Sequence, residues 1–166
     1  MIALHEFNHL SHEKALALIH PCVALPGWAD ALALGRPYTS RDELFTTANA
    51  LTQAWDDAAL AQALSAHPRI GEKPAGSQAE AALSRQEQGA VNDRDAALAQ
   101  ALREGNARYE ARFGRVFLIR AKGRSGEEIL QALHARLENS DAQEVRAALE
   151  QLREITLLRL EGAISE

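Results

Sequence analysis

Three of the serines that are followed three positions later by a glutamate most constrain the fold of this chain. In such a capping box the serine hydroxyl accepts a hydrogen bond from the N–H three residues on, and the glutamate reaches back to the serine N–H. The pairs are Ser40 with Glu43, Ser77 with Glu80 and Ser125 with Glu128. Because this pattern marks the start of a helix, its repetition predicts a chain made largely of helices.

Apolar residues follow two of these starts at spacings of three and four, which places them on one helix face. After Ser40 they are Leu44, Ala48, Leu51 and Trp55, which predicts a helix ending near Asp56. After Ser125 they are Ile129, Leu130, Leu133 and Leu137. Asn139-Ser140-Asp141 then predicts a break and a new cap.

A last helix is predicted after that break. Its inner face is expected to hold the apolar residues Val145, Ala148, Leu149, Leu152 and Ile155. The charged residues Glu144, Arg146, Glu150 and Arg153 are expected to lie mostly on the solvent side.

Composition agrees with helices throughout. Alanine and leucine dominate the apolar residues, no segment alternates with period two, and the five prolines lie outside the periodic runs. We therefore predict an all-α fold, a single-domain bundle of about eight or nine helices over residues 1–166.

Charge and cysteine content restrict partners and compartment. A formal net charge of -5 disfavours nucleic acid and a basic membrane patch as partners. The lone cysteine, Cys22, excludes an internal disulfide, and no apolar stretch approaches membrane-spanning length. The N-terminus has neither a basic region nor a continuous apolar run, so we expect a cytoplasmic protein.

One short motif suggests a metal. His5-Glu6-Phe7-Asn8-His9 matches H-E-x-x-H, which on a helix can bind zinc beside a glutamate base. It lies at the chain terminus, where ends fray, and Asn8 and Ser11 resemble cap residues that would interrupt a helix. We therefore expect no continuous helix there and no metal site.

The segment between Leu64 and Asn92 contains the titratable residues that most resemble a ligand-binding site. Pro68 and Gly71 can hold His67 at a fixed loop position, and Ser84, Glu87 and Gln88 share one face of a predicted helix. Such groups can bind a polar ligand. The alternative is that His67 simply ends a helix and the Ser84 face is solvated.

These residues belong to a series of motifs that occur in a fixed order along the chain. They run from His67-Pro68-Arg69-Ile70-Gly71 to Ser84-x-x-Glu87-Gln88-Gly89, then Asn106-x-x-Tyr109-x-x-Arg112-Phe113-Gly114-x-x-Phe117-x-Ile119, and Gly123-Arg124-Ser125. The chain resembles the OHCU decarboxylases, which convert 2-oxo-4-hydroxy-4-carboxy-5-ureidoimidazoline (OHCU) into S-allantoin in urate degradation. The resemblance also includes Cys22, Trp28 and Ser40 near the start and Arg159 near the end.

This resemblance implies an all-helical homodimer that needs no cofactor and binds a small-molecule substrate. It implies His67 and Glu87 as catalytic residues. It implies substrate-binding roles for Pro68, Ser84, Gln88, Phe117, Ile119, Gly123 and Arg159. Glu87 could either disfavour the substrate carboxylate or orient His67, and the sequence leaves both open.

Some of these roles have structural alternatives. Arg159 could form a surface ion pair with Glu154 or Glu161, and Phe117 and Ile119 could simply pack in the core. Arg120 and Lys122 stand where the family pattern suggests neutral residues, which leaves the charge of the pocket loop open.

Overall fold

Over the residues that the structure describes, the regular elements are α-helices, one short 3-10 helix (His20–Cys22) and two very short strands. A computed structural model describes residues 1–67, 69–70, 83–84, 86–87 and 95–166. Its α-helices over these residues are α1 (Leu4–His9), α2 (His12–Ile19), α3 (Pro26–Leu34), α4 (Arg41–Thr52), α5 (Asp57–Leu64), α6 (Ala96–Phe113), α7 (Gly126–Arg136) and α8 (Asp141–Ala163). The strands β1 (Ile2–Ala3) and β2 (Ile164–Ser165) pair in parallel, with Ile2 opposite Ile164. The all-α prediction is confirmed.

Two of the predicted capping serines begin helices. At α7 the Glu128 N–H donates to Ser125 Oγ at 3.2 Å and the Ser125 N–H donates to Glu128 Oε1 at 3.3 Å, which completes the box. At α4 the Glu43 N–H donates to Ser40 Oγ at 3.0 Å. The Glu43 carboxylate turns instead to the Thr39 N–H, at 2.8 Å. The third pair, Ser77 with Glu80, lies outside the described residues.

The end of α4 corrects the expected boundary. The helix ends at Thr52 rather than near Asp56. Asp56 Oδ1 accepts a hydrogen bond from the Ala59 N–H at 3.0 Å and thereby caps the start of α5. Trp55 leaves the helical register and packs edge-on against Trp28, with ring centroids 6.4 Å apart.

The last helix follows its predicted apolar pattern with one exception. Ala148, Leu149, Leu152 and Ile155 are buried on α8, and Val145 is half-buried. Glu144, which we expected to face solvent, is 0% exposed. The prediction for Glu144 was wrong, because hydrogen-bond partners described below offset the cost of burying its charge.

The prediction that no continuous helix forms over His5–His9 was also wrong. Leu4–His9 is one continuous helix, with His5 and His9 one turn apart and ring centroids separated by 4.6 Å. Phe7 is completely buried, and Arg36 Nη1 donates to the Phe7 carbonyl at 2.7 Å, which keeps this end from fraying. Across the described residues no group of three or more His, Cys, Asp or Glu could hold a metal ion.

Contacts divide the chain into two compact units. The first contains residues 1–63 and 153–166, and the second contains residues 64–152. The core of the second unit is one hydrophobic cluster that includes Ile70, Leu102, Tyr109, Phe117 and Ile129. Within the described part of the chain, no helix is both long and apolar enough to cross a membrane.

Candidate active site

His67 lies just beyond the C-terminal end of α5. Its N–H donates to the Leu64 carbonyl at 3.1 Å, which continues the last helical turn. The residue is half-buried, and its Nε2 atom is shielded from solvent. The imidazole is therefore partly withdrawn from water at a defined backbone position. Pro68, the next predicted site residue, lies outside the described residues.

The residues that follow His67 are fastened to α6. Arg69 donates two hydrogen bonds to the Glu110 carboxylate, from Nε to Oε2 at 2.9 Å and from Nη2 to Oε1 at 3.0 Å. The buried Asn106 amide donates to the Ile70 carbonyl at 3.0 Å. Since Asn106 and Glu110 are one turn apart on the same helix, α6 holds the His67 segment at two successive residues.

A cleft of about 380 Å³ opens beside this segment. Its lining includes Arg69, Ile70, Arg103, Asn106 and Glu110. None of the described residues that line it is a predicted site residue. The cleft therefore adjoins the segment that carries His67 without explaining how a substrate would be held.

Ser84 and Glu87 both have helical backbone conformation, as predicted. Ser84 is only 3% exposed and Glu87 is half-buried. A spacing of three puts both side chains on the same side of a helix. Burial of a hydroxyl and partial burial of a carboxylate contradict the alternative of a fully solvated face. Gln88 lies outside the described residues.

Phe117 and Ile119 lie in the non-helical segment between α6 and α7. They are 1% and 4% exposed and belong to the same hydrophobic cluster as Ile70. The Phe117 ring packs edge-on against Tyr109, with centroids 5.2 Å apart. Both side chains are thus core residues, and what this segment can offer a polar ligand is its main chain.

The turn after this segment is closed by its own arginines. Gly123 has φ of +81°, a left-handed conformation that glycine adopts without strain. Arg120 Nη1 donates to the Lys122 carbonyl at 3.3 Å, and Arg124 Nε donates to the Arg120 carbonyl at 2.9 Å. The Arg120 guanidinium, one of the two unexpected cations, therefore takes part in the local turn, whereas Lys122 contributes its backbone carbonyl.

Arg159 lies on α8 and belongs to the first unit. It is 5% exposed, and its Nη1 donates to the carbonyls of Pro21 and Cys22 at 3.2 and 3.4 Å. This burial excludes the alternative of a surface ion pair. Cys22 itself is buried in the core of the first unit.

The sequence patterns did not predict the buried polar network around Glu144. The Tyr109 hydroxyl and the Arg136 guanidinium both donate to Oε1, and the Asn139 amide donates to Oε2 at 3.0 Å. Burial and the adjacent carboxylate raise the pKa of Tyr109 well above its ordinary value, so the phenol stays protonated. The spacing of Glu144 from Ala148 and Leu152 was the available signal, because it places all three on one helix stripe.

Comparison with known proteins gives a consistent result. A family model described as OHCU decarboxylase matches residues 8–161. The chain is 31% identical to the 2-oxo-4-hydroxy-4-carboxy-5-ureidoimidazoline decarboxylase of Amia calva, covering 97% of this chain and 94% of that one. It is 33% identical to the uric acid degradation bifunctional protein TTL of Arabidopsis thaliana, over 87% of this chain.

The chain spans only 46% of the length of that bifunctional plant relative. Among solved structures, it is similar to a crystal structure of OHCU decarboxylase in the presence of (S)-allantoin. That match has a TM-score of 0.71 and 28% identity, and it covers 88% of this chain and 96% of the other.

Proposed function

The chain belongs to the OHCU decarboxylase family, and on that premise we propose that it decarboxylates OHCU to S-allantoin in urate degradation. The observation that carries the proposal is the family match over residues 8–161, which includes every predicted site residue. The half-buried His67 and Glu87 and the buried Ser84 support it, because solvated side chains could not hold a small ligand in a fixed orientation.

The substrate supplies its own electron sink. One ring carbon of OHCU carries both the carboxylate and a hydroxyl, and the carbon next to it forms a C=N bond. When the bond to the carboxylate breaks and carbon dioxide leaves, its electron pair forms a carbon–carbon double bond, and the C=N nitrogen takes up a proton. Loss of the hydroxyl proton and protonation of carbon 5 on one face then give S-allantoin, so this chemistry requires no cofactor.

His67 is proposed as the base towards the substrate hydroxyl. Imidazole is the side chain whose unperturbed pKa lies near neutrality, so it can accept this proton and release it again at ordinary pH. The contacts of Arg69 and Ile70 with α6 support this role, since they restrict the backbone on which the ring is carried.

Glu87 is proposed as the counterpart of His67. In one version its carboxylate lies near the substrate carboxylate and disfavours the charged ground state. In the other it accepts a hydrogen bond from His67 and orients the ring. Glu87→Gln separates them: the first version requires the charge, whereas the second needs only an acceptor, which the amide oxygen retains.

The remaining family positions are proposed to bind the substrate. Ser84 and Gln88 would hydrogen-bond the ring and ureido group, and Arg159 would donate a planar fork to a carbonyl or carboxylate. Pro68 would contribute contact and a carbonyl. The segment from Phe117 to Gly123 would pair main-chain groups with the ureido end.

We further propose that the chain acts as one decarboxylase domain over residues 1–166, as a homodimer in the cytoplasm. The family match over most of the chain supports one functional domain. The single cysteine supports a reducing compartment. Size-exclusion chromatography with light scattering tests the dimer.

The decisive experiment couples urate oxidase and hydroxyisourate hydrolase to this protein and follows allantoin by circular dichroism. OHCU decays unaided to racemic allantoin, so an enzyme must both accelerate its loss and leave an excess of the S enantiomer. If neither occurs, the chain is a non-catalytic helical module. Loss of activity on chelation would instead favour a zinc enzyme.

Replacing the proposed catalytic residues should abolish most turnover. His67→Ala and Glu87→Ala are each expected to lower kcat/KM about 10²–10⁴-fold, the usual contribution of a positioned acid or base. The exposed His134 and Glu150 provide matched controls, because the same substitutions there should leave kcat/KM unchanged. Wild-type turnover in His67→Ala with a native circular dichroism spectrum would contradict the assignment.

A further inference from the structure

Glu144 and Arg136 form a buried ion pair that the proposed chemistry does not use. Glu144 is 0% exposed, and the Arg136 side chain is 12% exposed. Arg136 donates from both Nε, at 2.8 Å, and Nη2 to the same carboxylate oxygen, Oε1. Tyr109 and Asn139 supply further donors, so the carboxylate is well compensated and its position is defined.

The other edge of the Arg136 guanidinium faces the segment Phe117–Ile119. Its Nη1 donates to the Leu118 carbonyl at 2.6 Å. Its central carbon lies 4.6 Å from the centroid of the Phe117 ring, a cation–π distance. One side chain therefore holds two successive residues of this segment by two different kinds of contact.

Two neighbouring contacts complete the restraint. Tyr109, which donates to Glu144, also packs its ring against Phe117. At the far end, the Arg120 N–H donates to the side-chain oxygen of Gln151 at 2.9 Å. Together these contacts orient the main chain between Phe117 and Arg120.

We propose that Arg136, held by Glu144, is a positioning residue for the ureido end of the substrate. It fixes the main-chain groups of Phe117–Ile119 without touching substrate itself. This inference rests on the proposed function, in which that segment binds the ureido group. The terminal amide of the ureido group keeps its bonds and its charge throughout the reaction. Contacts with it therefore strengthen substrate and transition-state binding alike, so they govern KM rather than kcat.

The variant Arg136→Lys tests this most directly. Lysine keeps the positive charge but lacks the planar fork, so one ammonium cannot serve Glu144, the Leu118 carbonyl and the Phe117 ring together. We expect KM for OHCU and Kd for (S)-allantoin to rise about tenfold, with kcat changed less than about threefold. Amide hydrogen exchange in peptides covering residues 117–120 should become faster in the same variant.

Arg112→Lys is the matched control. Arg112 makes the same two kinds of contact elsewhere, since it lies 5.0 Å from the Phe113 ring centroid and donates to the Asn139 carbonyl at 2.7 Å. It does not contact Phe117–Ile119 in any described interaction. Its replacement should leave KM and (S)-allantoin affinity unchanged.

Other outcomes separate the two proposals. A wild-type chain that does not decarboxylate OHCU removes the proposed function itself. An active wild type with unchanged KM and Kd in Arg136→Lys overturns the positioning role and leaves the pair purely structural, even if the melting temperature falls. A loss of kcat at constant KM also overturns it. If Arg136→Lys does not fold, Glu144→Gln gives the same test, because it retains the fork and weakens only its support.

Discussion

In each unit, an arginine and a tyrosine donate hydrogen bonds that hold non-helical segments in place, but the acceptors of these bonds differ. In the first unit, Arg36 Nη1 donates to the carbonyls of Phe7 and Leu10, each at 2.7 Å, and the Tyr38 hydroxyl donates to the Leu32 carbonyl. In the second, Arg136 and Tyr109 both donate to the buried carboxylate of Glu144. Arg36 and Tyr38 thus donate to neutral backbone acceptors, whereas Arg136 and Tyr109 share a buried charged acceptor, and Arg136 donates to the Leu118 carbonyl in addition.

This difference changes what a single substitution should cost. Losing a hydrogen bond to a neutral acceptor costs little beyond desolvation of that acceptor, whereas removing one partner of a buried ion pair leaves an uncompensated charge. Burial, together with a smaller effect of the Glu43 carboxylate, raises the pKa of Tyr38 to about 12. The pKa of Tyr109 rises further, because the Glu144 carboxylate adds to the effect of burial. We therefore expect the second unit to be the more sensitive to substitution.

The largest expected effect is that of Glu144→Ala. It should lower the free energy of unfolding by about 3–5 kcal/mol, because Arg136 is left buried without its counter-charge. The matched change in the first unit is Asn8→Ala, which removes two hydrogen bonds to the main chain of Tyr38 and should cost about 1–3 kcal/mol.

Urea unfolding can show which unit loses stability in each variant. Trp28 and Trp55 both lie in the first unit, so their fluorescence follows that unit, whereas far-ultraviolet circular dichroism follows both. If Asn8→Ala proves as costly as Glu144→Ala, the contrast between neutral and charged acceptors is wrong.

An intermediate effect is expected for the two tyrosines. Near neutral pH, Tyr109→Phe should cost about 1.5–3 kcal/mol because it removes a donor to a charged group, and Tyr38→Phe about 0.5–1.5 kcal/mol. In an unfolded chain each phenol ionises near pH 10.0, whereas in the folded chain its pKa is higher. Each tyrosine therefore contributes stability that is present below pH 10 and is lost as the pH rises above it.

Unfolding measured at several pH values above and below the ordinary phenol pKa checks this sign. Stability falls as the pH rises above 10, and Tyr109→Phe should reduce this fall more than Tyr38→Phe does. Equal slopes in the two variants would show that the hydrogen-bonded Glu144 carboxylate affects Tyr109 no more than Glu43 affects Tyr38.

The smallest effect is expected at the helix caps, where the two units should not differ. Ser125→Ala and Ser40→Ala each remove a hydroxyl that accepts the N–H three residues on, and each should cost about 1 kcal/mol. Thermal melts of the two variants give the comparison. A much larger loss for Ser125→Ala would contradict this equality, and the bond from the N–H of residue 125 to Glu128 would not explain it, because alanine keeps that N–H.

Local signals predicted much of the fold. The Ser125 box, the start of α4 and the buried stripe of α8 depend on contacts within one or two turns. A short stretch of sequence is therefore enough to predict them. The boundary near Asp56 was misplaced because a cap residue for α5 was read as the end of α4. The helix at Leu4–His9 was missed because its support comes from Arg36, which is distant in sequence.

The candidate site was predicted less completely. The helical placement of Ser84 and Glu87 followed from spacing, but their roles rest on resemblance to a family. Glu144 was assigned to solvent by its charge, although its spacing placed it with Ala148. Only its folded partners, Tyr109, Arg136 and Asn139, make that burial stable.

By itself the sequence determined the helices and the family. Caps and apolar spacing act over a few residues, and ordered motifs can be identified in a sequence without knowledge of its tertiary contacts. Tertiary structure decided which polar groups are buried and what they hold, including Arg136 on the segment from Phe117 to Ile119. The physical reason is that burying a charge costs free energy that only partners assembled from distant parts of the chain can offset.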